Sequence, residues 1–358
     1  MAPYFIIFTL LGLFSFADFF NVKRNQRLCL LVIGAAILIL FAGLRYDSPD
    51  WMPYKEGFEE VAHVGLDYTR LNIAQFFEPL YNLTVYIITF CTTQPVFLFL
   101  IIAAIAVILN SRFYAKYSEF FLLSLLLYFV HTFLMRETMQ IRAGVAAGIV
   151  LWSLPFVTQQ KPFKFLLLIL CAMGFHLASG AFALIYPIYQ WNLKNQVWKW
   201  LIGICLVIGI LFPFGKLLTM LPGGALFQRI KNYSWMVEQG APGILTNPTI
   251  IKQLFFSFIC LKYWKTLDER VPYFRLLVTP LLVSVCWLVV WNDFAIIAGR
   301  IGTFFSITEV LVVPMLLYLV TPRSRPVMGL LLVLYALSTL SLNLAVGNVA
   351  RYQFLLTQ

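Results

Sequence analysis

The sequence predicts an all-α, polytopic integral membrane protein, one transmembrane domain over residues 1–358 with about 12 membrane-spanning helices (about 11–14). Three observations carry that prediction. Of the 358 residues, 61% are hydrophobic and only 11% charged, against roughly 25% charged in a soluble domain. The apolar residues fall into long runs, and no block of soluble composition interrupts them. The short connections between runs are basic, as in proteins whose orientation is set by their loops.

The runs long enough to be considered are 2–20, 28–44, 77–93, 95–110, 119–134, 143–157, 165–189, 200–214, 250–264, 276–291, 301–320 and 327–345. Each must be a helix, because hydrocarbon offers unpaired backbone groups no partner. The alternation of membrane β-strands is absent. Residues 1–20 lack a basic n-region and a small-residue cleavage site, so they read as a first span and not as a removable signal. The segments 21–27, 262–275 and 321–326 carry three, four and two basic residues, which places them in the cytoplasm. The two larger loops, 45–75 and 215–249, hold most of the loop acids and are placed outside. Trp191, Trp198, Trp200, Trp264 and Trp291 lie at span ends, as an interfacial belt requires.

The middle of the chain admits two topologies. If 111–118 and 158–164 are both cytoplasmic, 77–110 must cross an odd number of times. Residues 165–189 would then form a re-entrant pair tipped near Gly174–Gly180. Otherwise every run crosses once and 135–142 is cytoplasmic. The irregular version is favoured because it puts Arg136 and Arg142 outside.

The net charge is +11, from 26 Lys+Arg against 15 Asp+Glu. With the cations in short loops, nucleic acid is not the expected partner. Membrane lipids or a phosphorylated lipid substrate are. Cys29, Cys91, Cys171, Cys205, Cys260 and Cys286 form no Cys-x-x-Cys pair or metal spacing, so they are expected to be small buried hydrophobes. No P-loop, GxSxG elbow, HExxH or Cys/His set occurs, and no cofactor or metal is implied.

Ionisable groups next to long apolar runs are costly and mark candidate sites. Arg45, Tyr46, Asp47, Asp50, Trp51 and Tyr54 lie within ten residues where the second span ends. Aromatic faces beside carboxylates suit sugar rings, although Asp47 and Asp50 could equally cap a turn. Glu78-Pro79 opens an apolar run, where a helix start would also explain it. Arg136, Gln140 and Arg142 precede another run. On one continuous helix Arg136 and Gln140 share a face, and the two guanidinium groups suit a diphosphate, unless they are interfacial anchors. His176 lies inside a long apolar run among Gly174, Ala178, Ser179 and Gly180, so a substrate could approach its ring closely. It is the leading candidate for a general base, ahead of Asp47, Asp50 and Glu78. His131 is read as a packing residue. Arg300 precedes a span and could be a simple anchor.

Taken in order, these clusters resemble the EpsG family of polysaccharide-biosynthesis membrane proteins, which work as Wzy-type polymerases. Arg45-Tyr46 with Asp47 or Asp50 and Tyr54 is followed by Glu78-Pro79-Leu80-Tyr81. Then come Arg142-Ala143-Gly144-Val145-Ala146, Phe175-His176-Leu177-Ala178-Ser179, and Arg300-Ile301 through Phe304-Phe305 to Pro314. Asp47-Ser48-Pro49-Asp50 replaces the family's Gly-Thr-Asp, and Ala143 stands where a Gln is usual. Arg229 and Gly240 also fit an Arg-x10-Gly pattern of such polymerases.

The resemblance implies a GT-C-like, metal-independent glycosyltransferase in a bacterial inner membrane, acting on its outer face. Donor and acceptor would be oligosaccharide repeat units linked to undecaprenyl pyrophosphate, with a chain-length regulator as a further partner. Arg142, with Arg136 and Arg300, would stabilise the departing diphosphate, and Arg45, Tyr46, Trp51, Tyr54, Gln140, Ser179 and Arg229 would contact substrate. The rival readings are an O-antigen ligase, a flippase for the same lipid-linked unit, and a membrane acyltransferase. A flippase would be expected to show two similar halves, and none are visible.

Overall fold

The computed structural model describes residues 1–20, 22–46, 48, 50–67, 77–212, 214, 243–345 and 352–354. It forms two compact units, residues 1–180 with 313–358, and residues 181–312. Among the described residues, five helices are long and apolar enough to cross a bilayer: Arg24–Gly43, Pro95–Tyr117, Ile141–Thr158, Ile297–Leu319 and Pro322–Ala345. Shorter apolar helices accompany them. The chain is therefore a multi-pass membrane protein, in which several of the expected runs are broken helices and not full spans.

In the first unit, α1 (Ala2–Phe16) and α2 (Arg24–Gly43) are followed by α3 (Trp51–Val64), an amphipathic helix inside what the sequence suggested was a loop. Then come α4 (Pro79–Thr89), α5 (Pro95–Tyr117) and α6 (Phe121–Tyr128), the last continuing through a wide π turn to Arg136. Next are α7 (Ile141–Thr158) and α8 (Pro162–Met173). Pro79, Pro95 and Pro162 each open a helix, where the missing N–H costs nothing and the fixed φ already suits the first turn.

The helices α2 and α5 run antiparallel. At one end Arg24 Nη2 donates to Ala115 O at 2.9 Å. At the other, a Cβ on Gly43 would lie 2.7 Å from Leu100 Cα, so only glycine permits that approach. The helices α5 and α7 run the same way, with Gly148 and Trp152 against Leu109 and Phe113. Segments 21–27, 111–118 and 158–164 thus share one end of the unit, as they must if all three face the cytoplasm.

That arrangement makes α5 the crossing within 77–110. The 11 residues of α4 rise only about 16 Å, half of a hydrocarbon core of about 30 Å. The 12 residues of α8 are likewise too few, and α8 stops at Gly174. The unit closes with α16 (Arg325–Ala345), whose Tyr335 hydroxyl meets His131 Nε2 at 3.0 Å. A two-residue antiparallel pairing joins β1 (Arg45–Tyr46) to β2 (Gln353–Phe354).

In the second unit, α9 (Ile185–Gln190), α10 (Asn195–Leu211), α11 (Pro248–Lys262), α12 (Trp264–Arg270), α13 (Phe274–Val290) and α14 (Ala295–Phe305) lead to α15 (Glu309–Met315). Asn247 caps α11 by accepting from the Thr249 and Ile250 N–H groups. A buried polar chain crosses its interior. Lys252 Nζ lies 2.8 Å from Glu309 Oε1, Gln253 Nε2 donates to Glu309 Oε2 at 3.2 Å, and Ser284 Oγ donates to Gln253 Oε1 at 2.9 Å.

The six cysteines are all free, but only Cys260 is buried; Cys29 and Cys91 are exposed. The expectation of buried thiols fails because an apolar run in lipid need not turn every small residue inward. The outer loop expected at 215–249 lies mostly outside the described residues.

Candidate functional site

The site assembles at the end of the first unit opposite the basic segments. Just past the end of α2, β1 carries Arg45, 4% exposed. Among the described residues none of its three guanidinium nitrogens has a hydrogen-bond partner. Its nearest ring is Phe99, 5.7 Å away, and the polar groups it feels are Tyr54, Tyr4, Asp50 and Tyr352. Burial pulls its pKa down to about 10, so it is still a cation at neutral pH. A buried, uncompensated charge is costly, and an orphaned buried donor requires an explanation.

Asp50 occupies the position before α3 without its side chain capping that helix, so the turn-capping explanation does not hold for it. One turn into α3, Tyr54 accepts from Arg142 Nε at 3.4 Å and interacts with the charges of Arg142, Asp50 and Arg45. Arg142, at the start of α7, sits in an aromatic cage. Its Cζ is 4.5 Å from the Phe77 ring, 5.7 Å from Tyr54 and 5.9 Å from Tyr81. Such cation–π contacts hold a desolvated guanidinium in a fixed plane.

Glu78, immediately before α4, joins the parts together. Its Oε2 pairs with Arg142 Nη1, while its Oε1 faces His176 Nδ1 at 3.4 Å and accepts the Leu177 N–H at 3.1 Å. Burial opposes its ionisation, but His176, Arg142 and the Leu177 N–H outweigh it and hold the carboxyl below its ordinary range. The backbone brings these groups together. The Leu80 and Tyr81 N–H groups, in the first turn of α4, both donate to Gly174 O, at 2.8 and 3.1 Å. A Cβ on Gly174 would fall 2.5 Å from Leu80 Cγ. The glycine therefore ends α8 and seats its last carbonyl on the start of α4, setting His176 against Glu78.

Of the residues singled out in the sequence, Arg45, Asp50, Tyr54, Glu78, Arg142 and His176 converge here. Ser179 is fully buried with its hydroxyl unpartnered, and its N–H donates to His176 O at 3.0 Å. Trp51 is 6% exposed, stacked on Phe99 and tilted on Tyr46. It supports the site wall and does not offer a free face.

Arg136 is elsewhere. The helix expected to carry Arg136 and Gln140 on one face breaks at 137–140, and Arg136 turns into a buried cluster with Glu137, Tyr128 and Tyr114. Gln140 precedes α7 as an exposed residue whose side chain does not cap it. Arg300 is an exposed residue of the second unit. Asp47 and Arg229 lie outside the described residues.

The sequence reading missed Phe77 and Tyr81, the other walls of the Arg142 cage. The Tyr81 hydroxyl is also buried without a partner. Their signal was the run Phe77-Glu78-Pro79-Leu80-Tyr81, in which aromatics bracket the acid.

A membrane-embedded bundle with a carboxylate–imidazole–guanidinium cluster at one end defines a polytopic membrane protein with a built polar site. Residues 27–355 match the EpsG family, and the chain belongs to it. The amylovoran biosynthesis protein AmsC of Erwinia amylovora is 25% identical over 364 residues, covering 95% of this chain and 93% of that protein. No solved structure matches the chain.

Proposed function

We propose that the protein is a polysaccharide polymerase, a glycosyltransferase that moves a growing glycan from one undecaprenyl diphosphate carrier onto the repeat unit of another. The reaction would take place on the outer face of a bacterial inner membrane. The reading rests on the EpsG family, on the likeness to a protein named for amylovoran biosynthesis, and above all on one observation. Arg45 is a buried cation with no hydrogen-bond partner among the described residues, beside an Arg142–Glu78–His176 cluster in which the carboxylate and guanidinium are already paired.

The chemistry follows from that difference. Arg142 is neutralised by Glu78, whereas Arg45 has its whole donor fork to offer, so Arg45 receives the diphosphate. As the bond between the sugar C1 and the diphosphate oxygen breaks, its electron pair goes to the leaving group. A preorganised guanidinium in a low-dielectric setting stabilises that charge. The acceptor hydroxyl attacks C1 and gives its proton to His176. Glu78 faces Nδ1 of that ring, orienting it and favouring the imidazolium that forms. Arg142, locked by its aromatic cage, positions Glu78.

The test is replacement of the gene by variants, followed by sizing of the surface glycan. His176→Asn should leave mostly single repeat units, with a rate loss of about 10²–10⁴ and an unchanged amount of folded protein. Full-length glycan in this variant would remove the base assignment. Loss of all surface glycan on deletion, in place of single units, would favour a ligase or a flippase.

A further inference from the structure

At the opposite end of the first unit, α2 and α5 line a groove of about 590 Å³. The groove walls are apolar, formed by side chains such as Leu31, Ala36 and Ile39 of α2 and Ile108 of α5. Its mouth carries Arg24, Arg112 and Lys116, and no carboxylate lines it. Arg24 and Arg112 are exposed. Arg24 Nη2 donates to Ala115 O at 2.9 Å and Lys116 Nζ lies over the Tyr117 and Trp152 rings, but among the described residues neither is paired with a carboxylate, unlike the neighbouring Arg27, which Asp18 engages at 3.1 Å. From Arg24 to Ile39 the wall runs about 22 Å along the helix axis, much of one hydrocarbon core.

We propose that this groove is a site for an anionic phospholipid of the leaflet facing the basic segments. Its phosphate sits among Arg24, Arg112 and Lys116, and one acyl chain lies along α2. Charge complementarity selects the occupant. A cationic mouth over an apolar furrow between two membrane helices matches a phosphate headgroup with a hydrocarbon tail, whereas a zwitterionic lipid gains little from three cations. Occupancy adds contacts that bridge α2 and α5 along the groove. Because Arg45 follows the far end of α2, the lipid steadies the strand that carries it. The site lies outside the proposed reaction centre and does not depend on what that centre does.

The experiment uses the full chain, purified in detergent and titrated with dioleoyl phosphatidylglycerol or dioleoyl phosphatidylcholine while thermal unfolding is followed. Phosphatidylglycerol should stabilise saturably and phosphatidylcholine should not. Arg24→Gln/Arg112→Gln/Lys116→Gln should weaken the apparent affinity at least tenfold, and Ala36→Phe, which fills the groove and keeps the charges, should do the same. The lipid-free melting of each variant reports its folding independently. Equal stabilisation by the two lipids, or an unchanged titration in both variants, would overturn the proposal. Displacement of phosphatidylglycerol by an equimolar amount of undecaprenyl phosphate would also overturn it, by making the groove a carrier site.

Discussion

Two regions of the first unit are built from the same residue types and do different things. Around Arg142 stand Glu78, Tyr54 and Tyr81; around Arg136 stand Glu137, Tyr128 and Tyr114. The Arg136 group is wholly interior, with Arg136 4%, Glu137 2% and Tyr128 1% exposed. The Arg142 group keeps a face open, with side chains of Arg142, Glu78 and His176 at 19%, 17% and 18%. Beside it lies Arg45, whose guanidinium has no hydrogen-bond partner among the described residues. An interior cluster closed to solvent fixes the fold, even with Arg136 Nη2 and Glu137 Oε2 left without a hydrogen bond among the described residues, whereas a half-open cluster beside a further buried cation stores binding capacity for a ligand. Composition alone does not separate the two roles. Access and surplus charge do.

The largest expected effect tests that surplus directly. Arg45→Met removes a buried charge that has no hydrogen-bond partner among the described residues, so thermal stability should be unchanged or higher, while polymer formation falls by about 10²–10³. Folding and activity should move apart, as they do where a site holds strain for function. Arg136→Met should do the reverse and destabilise by about 3–5 kcal/mol, because Glu137 is left without its cation in the interior. Loss of stability in Arg45→Met would show that it is a structural ion and break the comparison.

Much of this was legible in the sequence. The membrane class followed from composition, and the order Arg45, Glu78, Arg142, His176 both carried the family resemblance and supplied the cluster. The basic loops left two topologies open for the middle of the chain, of which the favoured one puts 111–118 and 158–164 at the end that 21–27 occupies, and the glycines at 174 and 180 marked a break in the run from 165 to 189. The misreadings have physical causes. Arg136 and Arg142 looked like one clamp because a continuous helix was assumed, and nothing in Glu137–Gln140 announces the turn that sends them to different places. The helix α3 was hidden in a polar stretch, since an amphipathic helix beside a membrane lacks the hydropathy of a span. The pairing of Leu80 and Tyr81 with Gly174 is a contact across nearly a hundred residues, and no local pattern encodes it.

The two acids should also respond oppositely to pH. Burial, partly offset by the Tyr128 hydroxyl and Arg136, pushes the Glu137 carboxyl up to about 7 from 4.5. The folded state then binds the proton more tightly, and stability falls as pH rises from 4.5 to about 7. Glu137→Gln should abolish that slope. Glu78 is held below its ordinary range, so its contribution is present at neutral pH and is lost only as pH falls through the lowered value. Glu78→Gln should therefore cost about 1–3 kcal/mol at pH 7 and nothing in strong acid. Unfolding followed from pH 2 to 8 separates the variants, and equal slopes in the two would mean that the clusters share one environment.

The smallest effects come from removing one hydroxyl from each region. Tyr128 donates to Glu137 Oε1 at 2.6 Å in the interior, so Tyr128→Phe leaves a buried oxygen unsatisfied and should cost about 1–3 kcal/mol. Polymerisation per folded molecule should not change. Tyr54 accepts a long bond from Arg142 at 3.4 Å, and Tyr54→Phe should cost no more than about 1 kcal/mol because the cage ring remains. Yet Tyr54 interacts with both Arg45 and Arg142, so its loss changes the field at the site and should slow the reaction. The two phenylalanine variants differ by one atom from wild type and carry nearly identical packing. A rate loss in Tyr128→Phe with intact stability would place the chemistry in the wrong region and exchange the roles of the two arginines.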